Sequence, residues 1–117
     1  MEKFQFWGRK GEEMAATYLQ RSGYFVLEKN WRLGHLELDL ICRKGDMLVV
    51  VEVKTRRSMD ETPEDLLHFS KRRFLRQAAD AYVRMHRLPW EVRFDLIIVK
   101  GDSMEIEHIE EAIQVFE

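Results

Sequence analysis

This chain is poor in the residues that build cross-links, metal fingers and membrane spans. It has a single cysteine, Cys42, and one thiol cannot form a disulfide framework or a cysteine-rich zinc site. The histidines at 35, 68, 86 and 108 lack the spacing of zinc ligands. No apolar run approaches the roughly 18 residues of a membrane span, so no membrane association is expected. The leading MEKFQFWGRKGEE has no apolar core of the kind a secretion signal carries. A cytoplasmic location is the expectation. With six glycines and two prolines, the chain contains no Gly-rich phosphate loop and no nucleophile elbow. It also shows no linker, low-complexity stretch or internal repeat.

What is present suits one globular domain spanning 1–117. The length of 117 residues is enough to bury a core. A hydrophobic share of 45% beside 34% charged residues is too apolar for a disordered chain. The net charge of −2 gives no support for tight non-specific binding to DNA, but the charge is unevenly spread. Between Lys71 and Arg93 stand seven Lys and Arg residues against Asp80 and Glu91, and after Lys100 there are six acids and no Lys or Arg. A solvated helix surface is the commonest meaning of such a basic run, and a face toward a phosphate backbone is the functional one.

The periodicity predicts the order αβββαββ. Gly8 to Arg21 reads as a helix with Ala15, Ala16 and Leu19 inward and Gly23 at its C-cap. Glu12 falls on that inward face, a candidate acid aimed at the core, whereas Glu13 projects outward. The macrodipole alone would favour either carboxylate near a helix start. Tyr24 to Trp31 reads as an edge strand. Ser58 to Glu61 reads as a loop, and Thr62-Pro63-Glu64 as a helix start. Helical spacing then runs to about Arg87 with a break near Ser70. Its core stripe is Phe74, Leu75, Ala78, Tyr82 and Met85, and Lys71 lies on the same stripe. Val92 to Lys100 is a strand turning at Gly101-Asp102 into Met104 to Ile109. Ile109, Ala112, Ile113 and Phe116 fit a short closing helix. Strands before and after a long helix indicate an α/β fold with a mixed sheet.

The stretch Leu36 to Thr55, LELDLICRKGDMLVVVEVKT, is the most informative. Two apolar runs flank Lys44-Gly45-Asp46, which is turn chemistry, and together they predict a β-hairpin. Alternation places Glu37, Asp39 and Ile41 on one face and Leu36, Leu38 and Leu40 on the other. A two-residue loop at Gly45-Asp46 sets Asp39 opposite Glu52 and Glu37 opposite Lys54. Opposed Cβ atoms lie about 4.5–5.5 Å apart, and two carboxylates that close repel each other and resist desolvation. A divalent cation between them removes both penalties. The bland alternative is a solvated face with a Glu37–Lys54 ion pair. The apolar neighbours Ile41 and Val50 weigh for a site.

Asp39, twelve intervening residues, then Glu52-Val53-Lys54 resembles the D-x(n)-E-x-K pattern of the PD-(D/E)xK nuclease superfamily. The surroundings are more specific. GRKGEEMAATYLQRSGYFVLEKNWR, ELDLI, VVVEVKTRRS, Lys71-Arg72-Arg73, RFDLIIV and His108-Ile109 occur in that order. They resemble the uncharacterised YraN-like family along nearly the whole chain, a family similar in its core to archaeal Holliday-junction resolvases. One departure stands out. Leu36 occupies the position before Glu37 where that family usually has glycine, and the larger side chain would narrow access to the site.

The resemblance implies a restriction-endonuclease-like three-layer fold, with a central mixed sheet flanked by helices. It implies catalytic roles for Asp39, Glu52 and Lys54, with Glu12 as the helix-borne acid. Asp39, Glu52 and the Val53 backbone carbonyl would hold Mg²⁺, with Mn²⁺ as a substitute. Glu12 and Glu37 would support a second metal or the water network. Carboxylates nearby favour the ammonium form of Lys54, which would orient water and stabilise the transition state. Lys71, Arg72 and Arg56 are the candidate phosphate-binding residues. The expected partner is nucleic acid, DNA and branched DNA by analogy, and cutting two strands would require a homodimer. The alternative is a nucleic-acid-binding module of the same fold without catalysis.

Overall fold

A computed structural model describes residues 2–56, 63–101 and 103–113, with the side chains of 2–7, 63 and 64 excepted. Its elements in chain order are α1 (Glu2–Arg21), β1 (Phe25–Leu33), β2 (Leu36–Lys44), β3 (Met47–Arg56), α2 (Pro63–Leu66), α3 (Phe69–His86), β4 (Glu91–Lys100) and β5 (Ile106–Ile109). The five strands lie side by side in sequence order. Their pairings are antiparallel except for β3–β4, which is parallel. A parallel pair needs a crossover, and α2 and α3 supply it.

Two hydrophobic clusters fix the layers. Leu75, Ala78, Ala79 and Tyr82 of α3 pack with Leu48, Val50, Leu96 and Ile98. Ala15, Ala16 and Leu19 of α1 pack with Val49, Val51, Ile97 and Val99 on the opposite face of the sheet. The fold is therefore α/β in three layers, helix–sheet–helix around a mixed sheet, as expected. Strands β3 and β4 lie at the centre and are covered on both faces. This is why MLVVV and LIIV are unbroken apolar runs rather than alternating ones. Each such side chain contributes about 1.5–3 kcal/mol on burial, so the core locks the position of β3 most firmly. Among the described residues, no helix is long and apolar enough to cross a membrane.

Several boundaries differ from the sequence expectation. The first helix already runs from Glu2 and ends at Arg21, with Gly23 just beyond it in the C-cap role expected, where φ is +91°. There Tyr24 N–H donates to the Leu19 carbonyl at 2.9 Å, a glycine-dependent helix stop. The interhelical break comes at Leu67–His68, before Ser70. Met85 is not core: it lies 52% exposed, because the α3 stripe ends at Tyr82. The short closing helix is not formed within the described residues. Ile109 ends strand β5, residues 110–113 make a turn, and Ala112 N–H donates to the Phe94 carbonyl at 2.8 Å. Phe116, the Ser58–Glu61 loop, Thr62 and Asp102 lie outside the described residues.

Candidate active site

The β2–β3 hairpin has the predicted register from Lys44↔Met47 up to Leu40↔Val51. There the ladder ends. One residue further along β2, the Asp39 side chain takes over from the backbone, and its Oδ2 accepts the Val53 N–H at 2.9 Å. In a strand, the N–H and C=O of one residue point to the same side. The Val53 carbonyl therefore faces the same gap between β2 and β3.

The divergence has a local cause. Leu38 packs in the α3-side cluster and Leu40 in the α1-side cluster, so Leu36, Leu38 and Leu40 do not share a face as simple alternation would have it. β1 shows the same phase change: Glu28 reaches the α3-side Tyr82 hydroxyl, and Trp31 packs on that side too. Between them Asn30 has φ +53°, and it falls between the pairs Lys29↔Leu40 and Trp31↔Leu38, directly across from Asp39. A left-handed residue inside a strand turns the pleat, and asparagine tolerates that conformation better than most. The kink at Asn30 and Asp39 swings β2 away from β3 and opens the corner in which the charged groups meet.

Glu52 is 4% exposed. Asp39 is half-buried and within hydrogen-bonding contact of Glu52, and its pKa is raised to about 7. Burial is the main cause, and the Glu52 charge adds to it against the lowering effect of the Val53 N–H. Asp39 therefore holds its proton to higher pH than an ordinary aspartate does. Glu12 comes from α1 to the same corner. Its pKa is raised by burial, opposed by a hydrogen bond from Asn30 and reinforced by Glu37 and Glu52. Glu37 is at the rim, and its ion pair is with Arg32 of β1 at 3.6 Å. The expected opposition of Glu37 to Lys54 is not formed, because the β2–β3 ladder stops before reaching them.

Two ammonium groups converge on one oxygen. Lys54 Nζ lies 3.0 Å and Lys71 Nζ 3.3 Å from Glu52 Oε2. Alternation along β3 turns Glu52 and Lys54 toward α3, whose first turn carries Lys71. Arg72, the next residue, has a buried Nε without a hydrogen-bond partner among the described residues. Arg56, two residues beyond Lys54 at the end of β3, donates from Nη1 to the Thr55 carbonyl at 2.8 Å. Leu36 is partly buried against the α3-side core.

Two contributors escaped sequence reasoning. Asn30 sets the kink and bonds Glu12, and its only signal was a β-disfavoured residue inside the YFVLEKNW strand. Gly11 lies where α1 presses on β3, and a Cβ there would overlap Thr55 Oγ1. That close approach brings Glu12 to the corner.

A separate polar cluster ties the α1 side together. The Asp95 carboxylate, 2% exposed as a residue, accepts two bonds from Arg93 at 2.8 and 2.7 Å. His108 Nε2 lies 2.7 Å from the same group and Tyr18 Oη lies 3.0 Å from His108 Nδ1. Because a carboxylate only accepts, Nε2 carries the proton. Burial pushes Asp95 up, yet the bonds from His108 and Arg93 outweigh it and hold the carboxyl below its ordinary range. Nearby Cys42 is pushed up to about 12, by burial first and by Asp95 second, so its thiol is inert.

Among the described residues, no three acid, histidine or cysteine side chains form a ready-made metal cage. The donor set is open: two carboxylates and a backbone oxygen. Mg²⁺ is commonly held by one or two carboxylates with water completing its shell. The residues fit such an ion on their chemistry, because two carboxylates in contact and a backbone carbonyl facing the same gap are hard oxygen donors.

Comparison with known proteins places this chain among relatives of one kind. The model of a family described as "Uncharacterised protein family UPF0102" matches residues 11–99, from the glycine against Thr55 to the end of β4. A UPF0102 protein of Parabacteroides distasonis is 49% identical over 109 residues, covering 90% of this chain and 89% of its own length. One from Bacteroides thetaiotaomicron is 42% identical over 108 residues, covering 90% and 89%. A third, from Rhodococcus opacus, is 41% identical over 110 residues, covering 90% and 93%.

Proposed function

Given that the chain belongs to the uncharacterised protein family UPF0102, a name that assigns no chemistry, we propose from the site itself that it is a metal-dependent nuclease hydrolysing phosphodiester bonds. The substrate is nucleic acid, and DNA with a branched or otherwise irregular structure follows from the resemblance to resolvases. The reading rests above all on half-buried Asp39 in contact with buried Glu52 at the point where β2 leaves β3, with an ammonium 3.0 Å from Glu52. An ordinary hairpin has no need of a buried acid in contact with a second carboxylate.

Asp39, Glu52 and the Val53 carbonyl would hold Mg²⁺ or Mn²⁺. The bound ion supplies Lewis acidity and lowers the pKa of a water molecule. The protein's own groups supply position. Asp39 is fixed by the Val53 N–H, and Glu52 by the core around it. Lys54, on the same strand face as Glu52, orients the attacking water and offers positive charge to the phosphate as negative charge accumulates. Glu12, held by Asn30, receives a proton or anchors the water network. Lys71, Arg72 and Arg56 provide cationic side chains for the backbone of the nucleic acid.

The test is cleavage of branched, flapped and single-stranded DNA with Mg²⁺ or Mn²⁺, comparing the wild type with Asp39→Asn and Lys54→Ala. Both variants are expected to fold and to lose activity by about 10²-fold or more. Persistent cleavage by Asp39→Asn would sink the assignment. Salt-sensitive DNA binding with no cleavage in the wild type would instead support a binding module.

A further inference from the structure

Glu52 Oε2 carries two ammonium groups at once, and they are not equivalent. Lys54 stands two residues along the same strand, with a side chain 24% exposed. Its reach to Glu52 is fixed by the backbone of β3, whose position the core holds. Lys71 comes from another element, the first turn of α3, and its side chain is 36% exposed. Its ammonium lies at the longer distance, 3.3 Å against 3.0 Å, and 5.5 Å from the Phe74 ring centroid. A lysine with an exposed stem has rotamers that carry its head into water while the stem stays in place.

A carboxylate oxygen that ligates a divalent ion at about 2.0–2.1 Å cannot also keep two ammonium groups in contact, because three cationic centres would crowd around one oxygen. The group that gives way is the one held from outside the strand. Resting on the metal-site reading above, we propose that Lys71 is a displaceable counter-ion of Glu52. In the metal-free protein it neutralises the buried carboxylate and steadies the corner. When a divalent cation takes Oε2, Lys71 is released and becomes a free ammonium beside the ion, placed to meet a phosphate oxygen of the substrate. Lys71 is thus a positioning residue that couples occupancy of the metal site to the charge offered to the substrate. It also opposes metal binding, which a merely structural lysine would not do.

The experiment is an Mn²⁺ titration by water-proton relaxation, which needs no substrate, on the wild type, Lys71→Met, Arg84→Met and Asp39→Asn. Arg84 is a control for charge, since it pairs with Asp80 at 3.1 Å on an exposed part of α3. Lys71→Met is expected to bind Mn²⁺ roughly three- to tenfold more tightly than the wild type, the scale of removing one like charge near a partly screened ion. Arg84→Met should match the wild type and Asp39→Asn should lose binding. Binding in Lys71→Met with none detectable in the wild type supports the proposal more strongly. Equal affinity in the wild type and Lys71→Met, or weaker binding in the variant, overturns it and leaves the metal site standing. Folded wild type and Lys71→Met that both fail to bind overturn the metal site and this proposal together.

Discussion

Asp39 does two jobs that conflict. It caps the Val53 N–H that the diverging strand has left behind, and it lies against a second buried carboxylate. The first stabilises the fold, and the second strains it whenever both acids are ionised. An amide at this position keeps an oxygen for the Val53 N–H and removes the charge. Asp39→Asn is therefore expected to melt higher than the wild type at pH 8 without divalent ions, by about 1–2 kcal/mol or a few degrees. Calorimetry on both proteins reads this directly, and a lower melting temperature for the variant would mean that the carboxylate pair costs the metal-free protein nothing. A gain in stability would be the mark of strain kept at the proposed metal site.

At the scale of elements, two contacts decide where the acids meet. The Asn30 kink separates β2 from β3, and Gly11 lets α1 settle on β3 against Thr55. Glycine inside a helix is ordinarily unfavourable by about 1 kcal/mol relative to alanine, so Gly11→Ala would stabilise an unhindered helix. Here the new Cβ would overlap Thr55 Oγ1, and threonine is stiff at χ1. Gly11→Ala is thus expected to destabilise by about 1–3 kcal/mol. In a Thr55→Ala background the overlap disappears, since Thr55 Cβ itself lies at 3.6 Å from the added atom, and the same change should become neutral or stabilising. Chemical denaturation of the wild type, both single variants and the double variant checks for that reversal of sign. The same loss of approach would draw Glu12 away from Asn30.

For the whole molecule, the charged groups divide into two sets with opposite pH behaviour. Asp39 and Glu12 have pKa values raised in the folded state. Their contribution is complete below the ordinary carboxylate range and is lost as pH rises, for Asp39 through about 7. Asp95 is lowered, so its contribution is complete above its ordinary value of 3.8 and is lost as pH falls below it. The metal-free protein should be most stable between these windows, at mildly acidic pH. Asp95→Asn is expected to flatten the acid limb. It should also lower stability by about 3–5 kcal/mol near neutral pH, and by less toward pH 3, because Arg93 and His108 would lose their buried counter-charge. Urea melts from pH 3 to 8 on both proteins measure each limb. An unchanged acid limb would show that Asp95 is not what holds β4, β5 and α1 together.

The amino-acid sequence by itself determined the order of the elements and the hairpin register as far as Leu40↔Val51. Period-2 and period-3.6 hydrophobic patterns are local, and a tight turn at Gly45-Asp46 fixes pairing without reference to the rest of the chain. It also supplied Asp39, Glu52 and Lys54 as a set, since their spacing on one hairpin brings them within reach of each other. Only the tertiary structure decided which charges touch. Glu37 turned to Arg32 rather than Lys54 because the ladder ended at Leu40↔Val51, three pairs before it. Lys71 reached Glu52 from a helix that returns over the sheet through the crossover. Glu12 entered because a glycine allowed α1 to close on β3. Asp95, Arg93 and His108 form one cluster only when β4 and β5 pair. Such contacts depend on the packing of elements far apart in the chain, and no local pattern encodes the distances between them.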